Sequence, residues 1–512
     1  MPGEAADVCI VGAGPAGAVL ASKLVEAGRS VTLVEHGRAF SAEERRTLLE
    51  NRRRGAEPSS HNHAIPEDAQ IAYNPVEASG YTYFQSRVPA LGGSSLHWSA
   101  HCPRPLPSDL RSFPFDYTAL EPWLGRAETE LGVAGDADDP LAAPRSTPFP
   151  MPAHPRSFFE RELLAPACKK LGWALCSNPV AIPSRPFGER VPCRACRLCE
   201  LCPSGARYSA DQIHIPRFAK SANARLLTET RVRRLELDRT GRATHALAVD
   251  RRTGSALSIA AKRFVIAAGG VESVRLLHLT ERTAKRPPLA QLGKGFGDDV
   301  MIAAQLLAER DVGIGLGFAT TAINHFRQRA EGGGFKLNAY PRLFDRKTLL
   351  QFVTRSGKLA PDSLGSDAKR AVTLVALVEK DRTGTIELDP ARRDAHGDPV
   401  ARITLPFSER DERTLDAAAG ALRELAAALG ARVLEDGHRT ALRIWGAHPF
   451  GAAALGRTEK DGVCDPHGRV FGMRNVHVLS SATFPGLGAT NPTLTLVALA
   501  LRMAEALSGE KP

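Results

Sequence analysis

The stretch Asp7–Glu35, DVCIVGAGPAGAVLASKLVEAGRSVTLVE, decides the fold of this chain. It reads as strand, glycine turn, helix, strand. Asp7 to Val11 is a short apolar run of the kind that forms a parallel strand buried on both faces. Gly12, Gly14 and Gly17 then make G-x-G-x-x-G. The first glycine permits a tight turn, the second lets a pyrophosphate approach the backbone, and the third lets the helix press on the sheet. Pro15 and Ala16 open the helix, where a missing N–H costs nothing. The helix N-terminus then offers N–H groups and a positive dipole end to phosphate. The second strand, Val31 to Val34, ends at Glu35, where a carboxylate can accept from ribose hydroxyls. Three glycines alone are a weak signal. With the strand before, the helix after and the acid at the tip, they mark a dinucleotide site.

Outward from this unit, 512 residues with 43% hydrophobic content are enough for a large core and two interleaved domains. No apolar run reaches the ~18 residues needed to span a bilayer. The chain enters its first strand by residue 7, without a signal peptide, so the expectation is a cytoplasmic protein that an exported partner could still carry elsewhere. The net charge is +11, with basic clusters at Arg45-Arg46 and Arg52-Arg53-Arg54. With no nucleic-acid motif beside them, they read as a solvated arginine-rich surface, an acidic electron-transfer partner being the alternative. The polar stretch Ser41 to Gln70, with His61 and His63, reads as an exposed loop.

Gly92-Gly93-Ser94-Ser95 is flexible backbone followed by small donors, suited to lie against a flat ring or to form an ordinary glycine loop. The proline-rich stretch at 138–156 reads as a connector or lid. Ser157 to Gly172 reads as a helix with Phe158, Leu163, Leu164 and Leu171 inward. Of nine cysteines, Cys193, Cys196, Cys199 and Cys202 form C-x2-C-x2-C-x2-C-P. Loops of two residues hold disulfide geometry poorly, whereas ferredoxin-type runs use similar short spacings and a trailing proline. Zinc knuckles use a longer central loop. The spacing therefore favours an iron–sulfur cluster (3Fe-4S or 4Fe-4S), with zinc and unmetallated thiols as the other readings.

Ala224 to Asp238 and Ala246 to Ala261 read as a strand pair. Phe264 to Ala268 runs into Gly269-Gly270 and a helix, a second strand–glycine–helix junction. From about Met301 to Glu435 the pattern becomes that of an antiparallel sheet. One helix backs it, capped by Ser408 with Asp411 three residues on. Its expected buried stripe is Leu415, Ala419, Leu422, Ala426 and Leu429, and Gly430 ends it. Near the C-terminus, Asn491-Pro492 opens an apolar helix from Thr493. His448 and Asn491 both flank turns and, taken alone, read as a polar loop residue and a cap.

Together these segments resemble the glucose–methanol–choline (GMC) family of flavin oxidoreductases over nearly the whole chain. The carrying residues are Gly12 to Gly17 with Glu35, Gly92 to Ser95, Ala267 to Leu277, LGKGFGDD from Leu292, and Asp465 through Asn491-Pro492-Thr493-Leu494-Thr495. The resemblance implies an α/β fold: a Rossmann-like FAD-binding domain in two pieces, 1–300 and 441–512, interleaved with an antiparallel-sheet (α+β) substrate domain at 301–440. The first piece carries the lid and, at 190–210, the cysteine loop. The cofactor it implies is FAD. The implied contacts are Gly12, Gly14, Pro15, Ala16, Gly17, Glu35, Gly92, Gly93, Ser94, Ser95, His97, Val232, Ala268, Gly269, Ser481, Asn491, Pro492 and Thr493.

The implied reaction oxidises an alcohol, sugar or polyol hydroxyl to a carbonyl by hydride transfer to flavin N5. His448 falls at the family's active-site histidine and Asn491 at its second His or Asn. A neutral imidazole can take the hydroxyl proton, and the amide can orient the hydroxyl. His97, in Leu96-His97-Trp98, falls where some relatives link flavin covalently and others hold it without a bond. The cysteine quartet resembles the branch of bacterial sugar and polyol dehydrogenases whose catalytic subunit bears a three-iron cluster. That branch implies a non-oxygen acceptor, an electron-acceptor protein of cytochrome or ferredoxin type, and a small helper subunit. Two departures stand out: Gly451-Ala452-Ala453-Ala454-Leu455-Gly456 replaces the family's polar run, and Asp298-Asp299 stands where many relatives have a histidine. The rival readings are a GMC-type lyase, since the family also contains a lyase, and a degenerate flavoprotein with a binding role, which the lost polar run motivates.

Overall fold

The computed structural model describes residues 5–53, 76–78, 82–85, 88–197, 199, 202–284, 287–329, 331–342, 365–435, 443–446 and 448–509. His61 and His63 lie outside them. The start of their polar stretch is a helix, Ala42–Arg53, and not a loop. Ser41 and Glu44 explain this: Glu44 N–H donates to Ser41 Oγ (3.1 Å) and Ser41 N–H to Glu44 Oε2 (2.8 Å), a reciprocal cap.

Strands β1 (Ala6–Val11) and β2 (Val31–Val34), joined by helix α1 (Pro15–Glu26), sit within a seven-stranded sheet. Ala224–Leu227 adds in parallel beyond β2. On the other side of β1 the end of Ala256–Ile266 adds in parallel, followed by Val476–Val478. The first half of Ala256–Ile266 runs antiparallel to Ala243–Asp250, which pairs with Thr230–Leu237. The expected strand at Phe264 is therefore the end of one longer strand, which enters the second glycine junction directly. Val19, Leu20 and Leu24 of α1 are fully buried, each contributing roughly 1.5–3 kcal/mol. Helix α1 packs against the C-terminal helix Thr493–Gly509, which closes the N- and C-terminal segments into one body.

A second, eight-stranded sheet has Val300–Leu307, Ala371–Val378 and Phe335–Pro341 as antiparallel neighbours. One of its faces is a core: Val300, Ile302, Leu306, Phe335, Leu337, Val372 and Leu374 pack against the helix Glu409–Ala428. Ser408 caps that helix as its sequence predicts, by accepting from Asp411 N–H at 3.1 Å. Its buried stripe runs through Leu415, Ala418, Leu422 and Leu425, while Ala419 and Leu429 sit at its margin. In the segment before the sheet, Phe159 is buried where Phe158 was expected, and Phe158 is exposed. Gly384–Arg393 and Pro399–Leu405 form a separate four-stranded sheet with Lys294–Phe296 and Val76–Ala78. Among the described residues no helix is long and apolar enough to cross a membrane.

The alternation in Phe335–Pro341 places Lys336 and Asn338 on the face opposite that core, and both are buried. That face carries polar side chains into the interior of the molecule, and the site is built there.

Candidate active site

The glycine turn is a cradle of bare backbone. A Cβ on Gly12 would lie 2.4 Å from the Ala267 carbonyl oxygen, and one on Gly17 would lie 2.0 Å from that of Gly12. Both glycines are therefore required by close packing of β1, α1 and the second glycine junction. At Gly14 a Cβ would meet nothing within 4 Å, which leaves that side open. Helix α1 begins there with no side-chain cap and no acid in its first turn, so its first N–H groups and dipole remain available to an anion. The Gly92 run lies directly on this turn: Gly92 N–H donates to Ala13 O (3.2 Å), and a Cβ on Gly93 would lie 3.1 Å from Gly14 Cα.

Glu35 closes the other side. Its carboxylate accepts from the N–H groups of Ala13 (2.9 Å) and Gly37 (2.8 Å). Burial pushes its pKa up to about 7 against these bonds. Glu35 O also accepts from Thr230 N–H (2.9 Å), which brings the strand bearing Val232 to the tip of β2. The open, uncapped turn and the adjacent acid fit the pyrophosphate and ribose of a dinucleotide.

The remaining expected contacts cluster at two places. Ser94 and Ser95 form a 3-10 turn, Gly93–Leu96, with His97 at its end. Fully buried Arg207 ties this turn down by donating to the carbonyls of Ser95, Leu96 and Trp98 at 2.8–2.9 Å. Ala268 precedes the helix Gly269–Glu281, and Gly269 takes a φ of +79°. Pro449 packs on Gly270 of that helix. Ser481 O accepts from Gly451 N–H (3.2 Å). Pro492 and Thr493 start the C-terminal helix, with Pro492 O accepting from Leu496 N–H (2.9 Å).

His448 and Asn491 come together: Asn491 Nδ2 lies 3.1 Å from His448 Nε2. The cause is a local register. Gly297 and Phe450 exchange both backbone hydrogen bonds at 2.9 Å, antiparallel, so two residues onward from Gly297 faces two residues back from Phe450. That sets Asp299 against His448, with Nδ1 2.9 Å from Asp299 Oδ2. Asp298 Oδ1 accepts from His448 N–H (3.0 Å). Gly297 and Gly451 permit the approach, because a Cβ on either would strike Phe450 or the Gly295 carbonyl. At the far side, Lys336 Nζ donates to Asn491 Oδ1 (2.5 Å).

Four polar side chains from four separate segments thus form one line: Lys336, Asn491, His448, Asp299. Burial, helped by the Lys336 ammonium, pushes His448 down to about 3, so the imidazole is neutral at physiological pH. Burial and the Arg327 guanidinium push Lys336 down to about 7, opposed by Asp299. Burial raises Asp299 well above the carboxylate range. Lys336 went unread in the sequence. Its signal was the FKLNAY alternation, which puts a lysine on the second face of a strand whose first face is core. Asp299 was visible only as a departure from the family pattern.

The four clustered cysteines do not form the ligand set that their spacing predicts. All nine cysteines are thiols, and among the described residues no group of three or more His, Cys, Asp or Glu side chains is placed to hold a metal ion. Cys196 is exposed, while Cys193, Cys199 and Cys202 are half-buried against the core and bonded locally. Cys193 Sγ accepts from Ala195 N–H (3.4 Å), Cys199 Sγ donates to Leu316 O (3.8 Å), and Cys202 Sγ lies 3.4 Å from Ser204 Oγ. Burial would raise the Cys202 thiol, but the Arg207 N–H, the Ser204 hydroxyl and the Arg207 charge outweigh it and hold its pKa below the usual value.

The chain matches the N-terminal GMC oxidoreductase family domain over residues 7–296 and the C-terminal one over residues 380–500. The chain belongs to the GMC oxidoreductase family. Among its GMC relatives, the fructose dehydrogenase large subunit of Gluconobacter japonicus is 27% identical over 98% of this chain and 97% of its own length. The 2-methyl-1,2-propanediol dehydrogenase of Mycolicibacterium austroafricanum is also 27% identical, over 98% and 95%. Of solved structures, pyridoxine 4-oxidase from Mesorbium loti superposes with a TM-score of 0.70 at 17% identity, covering 99% of this chain and all of that one. That likeness bears on the fold, which is the GMC fold: a mixed dinucleotide-binding sheet with an antiparallel sheet against it. Both sheets and the bare glycine cradle agree with a GMC flavoprotein that binds FAD and acts on CH–OH groups.

Proposed function

We propose that this GMC oxidoreductase oxidises the hydroxyl of an alcohol, sugar or polyol to a carbonyl, with His448 as the base. The carrying observation is a buried, neutral imidazole whose Nε2 faces a side-chain amide. Bound FAD supplies the hydride acceptor. The chain's own groups do the rest. His448 Nε2 takes the hydroxyl proton as the C–H hydride leaves with its electron pair and the C=O bond forms. Asn491 donates to the same oxygen and holds it against Nε2 while negative charge grows there. Asp299 Oδ2 receives the hydrogen bond of the Nδ1 proton and holds the ring with Nε2 toward the substrate hydroxyl. The Gly14 cradle, the α1 N-terminus, Glu35 and the Gly92–Ser95 run would hold the cofactor, and residues 301–440 would wall the substrate side.

The acceptor for the electrons is read as something other than oxygen. This is supported by two relatives that are named dehydrogenases, one of them a large subunit and so a protein with a partner chain. The thiols of the cysteine loop do not converge on a common ligand position among the described residues.

The test is an anaerobic screen of sugars, polyols and simple alcohols, read by bleaching of the flavin band, with a dye and oxygen compared as acceptors. His448→Ala should lower flavin reduction by about 10²–10⁴-fold with FAD still bound. Unchanged reduction would remove His448 from the chemistry. Failure of every alcohol to bleach the flavin would favour a lyase or binding role.

A further inference from the structure

We infer that Lys336 and Asp299 are positioning residues that act from opposite ends of one hydrogen-bond chain to fix which nitrogen of His448 carries the lone pair. This rests on the reading of His448 as base for its catalytic meaning, but not for the tautomer itself.

Below pH 7, where Lys336 carries its proton, the ammonium has only donors, so the atom facing its Nζ must be the amide oxygen of Asn491. The amide NH2 therefore faces His448 Nε2 at 3.1 Å and donates. Nε2 must then be bare, and the single proton of the neutral ring sits on Nδ1. There it needs an acceptor, and Asp299 Oδ2 lies 2.9 Å away. Each link is dictated by the one before, and the direction is set at the lysine. Without Lys336 the amide can turn over, its oxygen facing Nε2 and favouring the Nε2–H form, which cannot accept a proton. Without Asp299 the Nδ1 proton has no other partner among the described residues, which disfavours the Nδ1–H form from the other end.

A purely structural account would make Lys336 a buried cation satisfied by the nearest carbonyl. The two accounts differ in what Lys336 does to a ring it never touches. Lys336 and Asn338 share the inward face of their strand. Asn338 Oδ1 lies 3.5 Å from Asn178 Nδ2, so one inward side chain of the strand is held by another amide while Lys336 addresses Asn491.

The experiment uses the FAD-bound protein labelled with 15N-histidine, with two-bond proton–nitrogen correlations to read each tautomer. The chain has 15 histidines, and a His448→Asn sample identifies the signal. Wild-type protein should show Nδ1–H at His448. Lys336→Met and Asp299→Leu should each mix the tautomers or invert them, and Asp299→Glu should restore Nδ1–H. With the alcohol found in the anaerobic screen, both disruptive variants should reduce flavin about 10–100-fold more slowly, a part of what a general base supplies.

Nε2–H in the wild type overturns the inference. So does an unaltered Nδ1–H in Lys336→Met, or in Asp299→Leu should Lys336→Met not fold. If His448→Ala keeps full activity while the tautomer behaves as stated, the base assignment fails and the positioning chain stands.

Discussion

Lys336 costs this protein stability at neutral pH, and replacing it should release that cost in a pH-dependent way. Its pKa falls from 10.5 to about 7 on folding, through burial and the Arg327 charge, with Asp299 opposing. At ~1.4 kcal/mol per pH unit that fall is worth about 5 kcal/mol. The unfolded chain binds the extra proton between pH 7 and 10.5, so wild-type stability rises with pH through that window and the penalty is complete below 7. Methionine matches the length of the lysine stem and carries no charge, but it forfeits the bond to Asn491, a loss of about 1–3 kcal/mol. Lys336→Met should therefore be more stable than wild type by about 2–4 kcal/mol at pH 7 and equal or less stable near pH 10. Paired denaturant titrations at several pH values, with the same excess of FAD in both samples, give the difference directly, and titrations of groups remote from Lys336 cancel, leaving its own and those of Asp299 and His448, which feel its charge. A variant less stable at pH 7, or a difference that stays flat from pH 6 to 10, would refute the buried-cation account.

Three further outcomes follow from the geometry. Gly17→Ala forces a Cβ to 2.0 Å from the Gly12 carbonyl oxygen, so the turn must shift, and purified protein should show a large loss of bound flavin by absorbance. Gly451→Ala meets both a φ of +81° and the Gly295 carbonyl at 1.9 Å. It should part His448 from Asp299 and lower turnover more than FAD binding, read by comparing flavin reduction with flavin content. Among the nine cysteines, a disulfide-exchange reagent should label the four of the loop, Cys196 first, and spare buried Cys9, Cys102, Cys168, Cys176 and Cys464 until the protein unfolds. Loop thiols that resist labelling, together with iron and acid-labile sulfide, would show a cluster that the separate thiols of the present structure do not form.

The dinucleotide half was legible because its signals are local. Gly12, Gly14, Gly17 and Glu35 all lie within one strand–helix–strand unit, and each acts on its near neighbours. The helix capped by Ser408 was legible for the same reason. The mistakes came where a neighbour in space was distant in sequence. Phe264 looked like the start of a strand because the preceding residues serve a different, antiparallel partner. Phe158 and Phe159 are adjacent and equally apolar, so only packing decides which goes inside. The cysteine spacing was compatible with a cluster, yet spacing does not specify where each sulfur points. In this fold Cys199 and Cys202 bond to a backbone carbonyl and a serine.

The line proposed to carry the chemistry shows the same limit most sharply. His448 and Asn491 were found through family likeness, and nothing in either local sequence carries the meeting itself. The meeting depends on a two-residue bridge between Gly297 and Phe450, held close by glycines that would otherwise pass for loop residues. The same bridge delivers Asp299, so a departure from the family pattern becomes the acceptor for the imidazole proton. Lys336 arrives from the antiparallel sheet, on a strand whose core face pays for holding a cation on the other. The proposed base is therefore assembled at a junction: Lys336 and Asp299, the two ends of the line, come from a strand of the antiparallel sheet and the residue that leads into another of its strands, while His448 and Asn491 come from the C-terminal segment that closes on the dinucleotide-binding sheet. A change that slides one sheet against the other should disturb the proton transfer before it disturbs either core. That ordering is physically reasonable because hydrogen bonds weaken over a few tenths of an ångström, whereas apolar packing tolerates such shifts at lower cost.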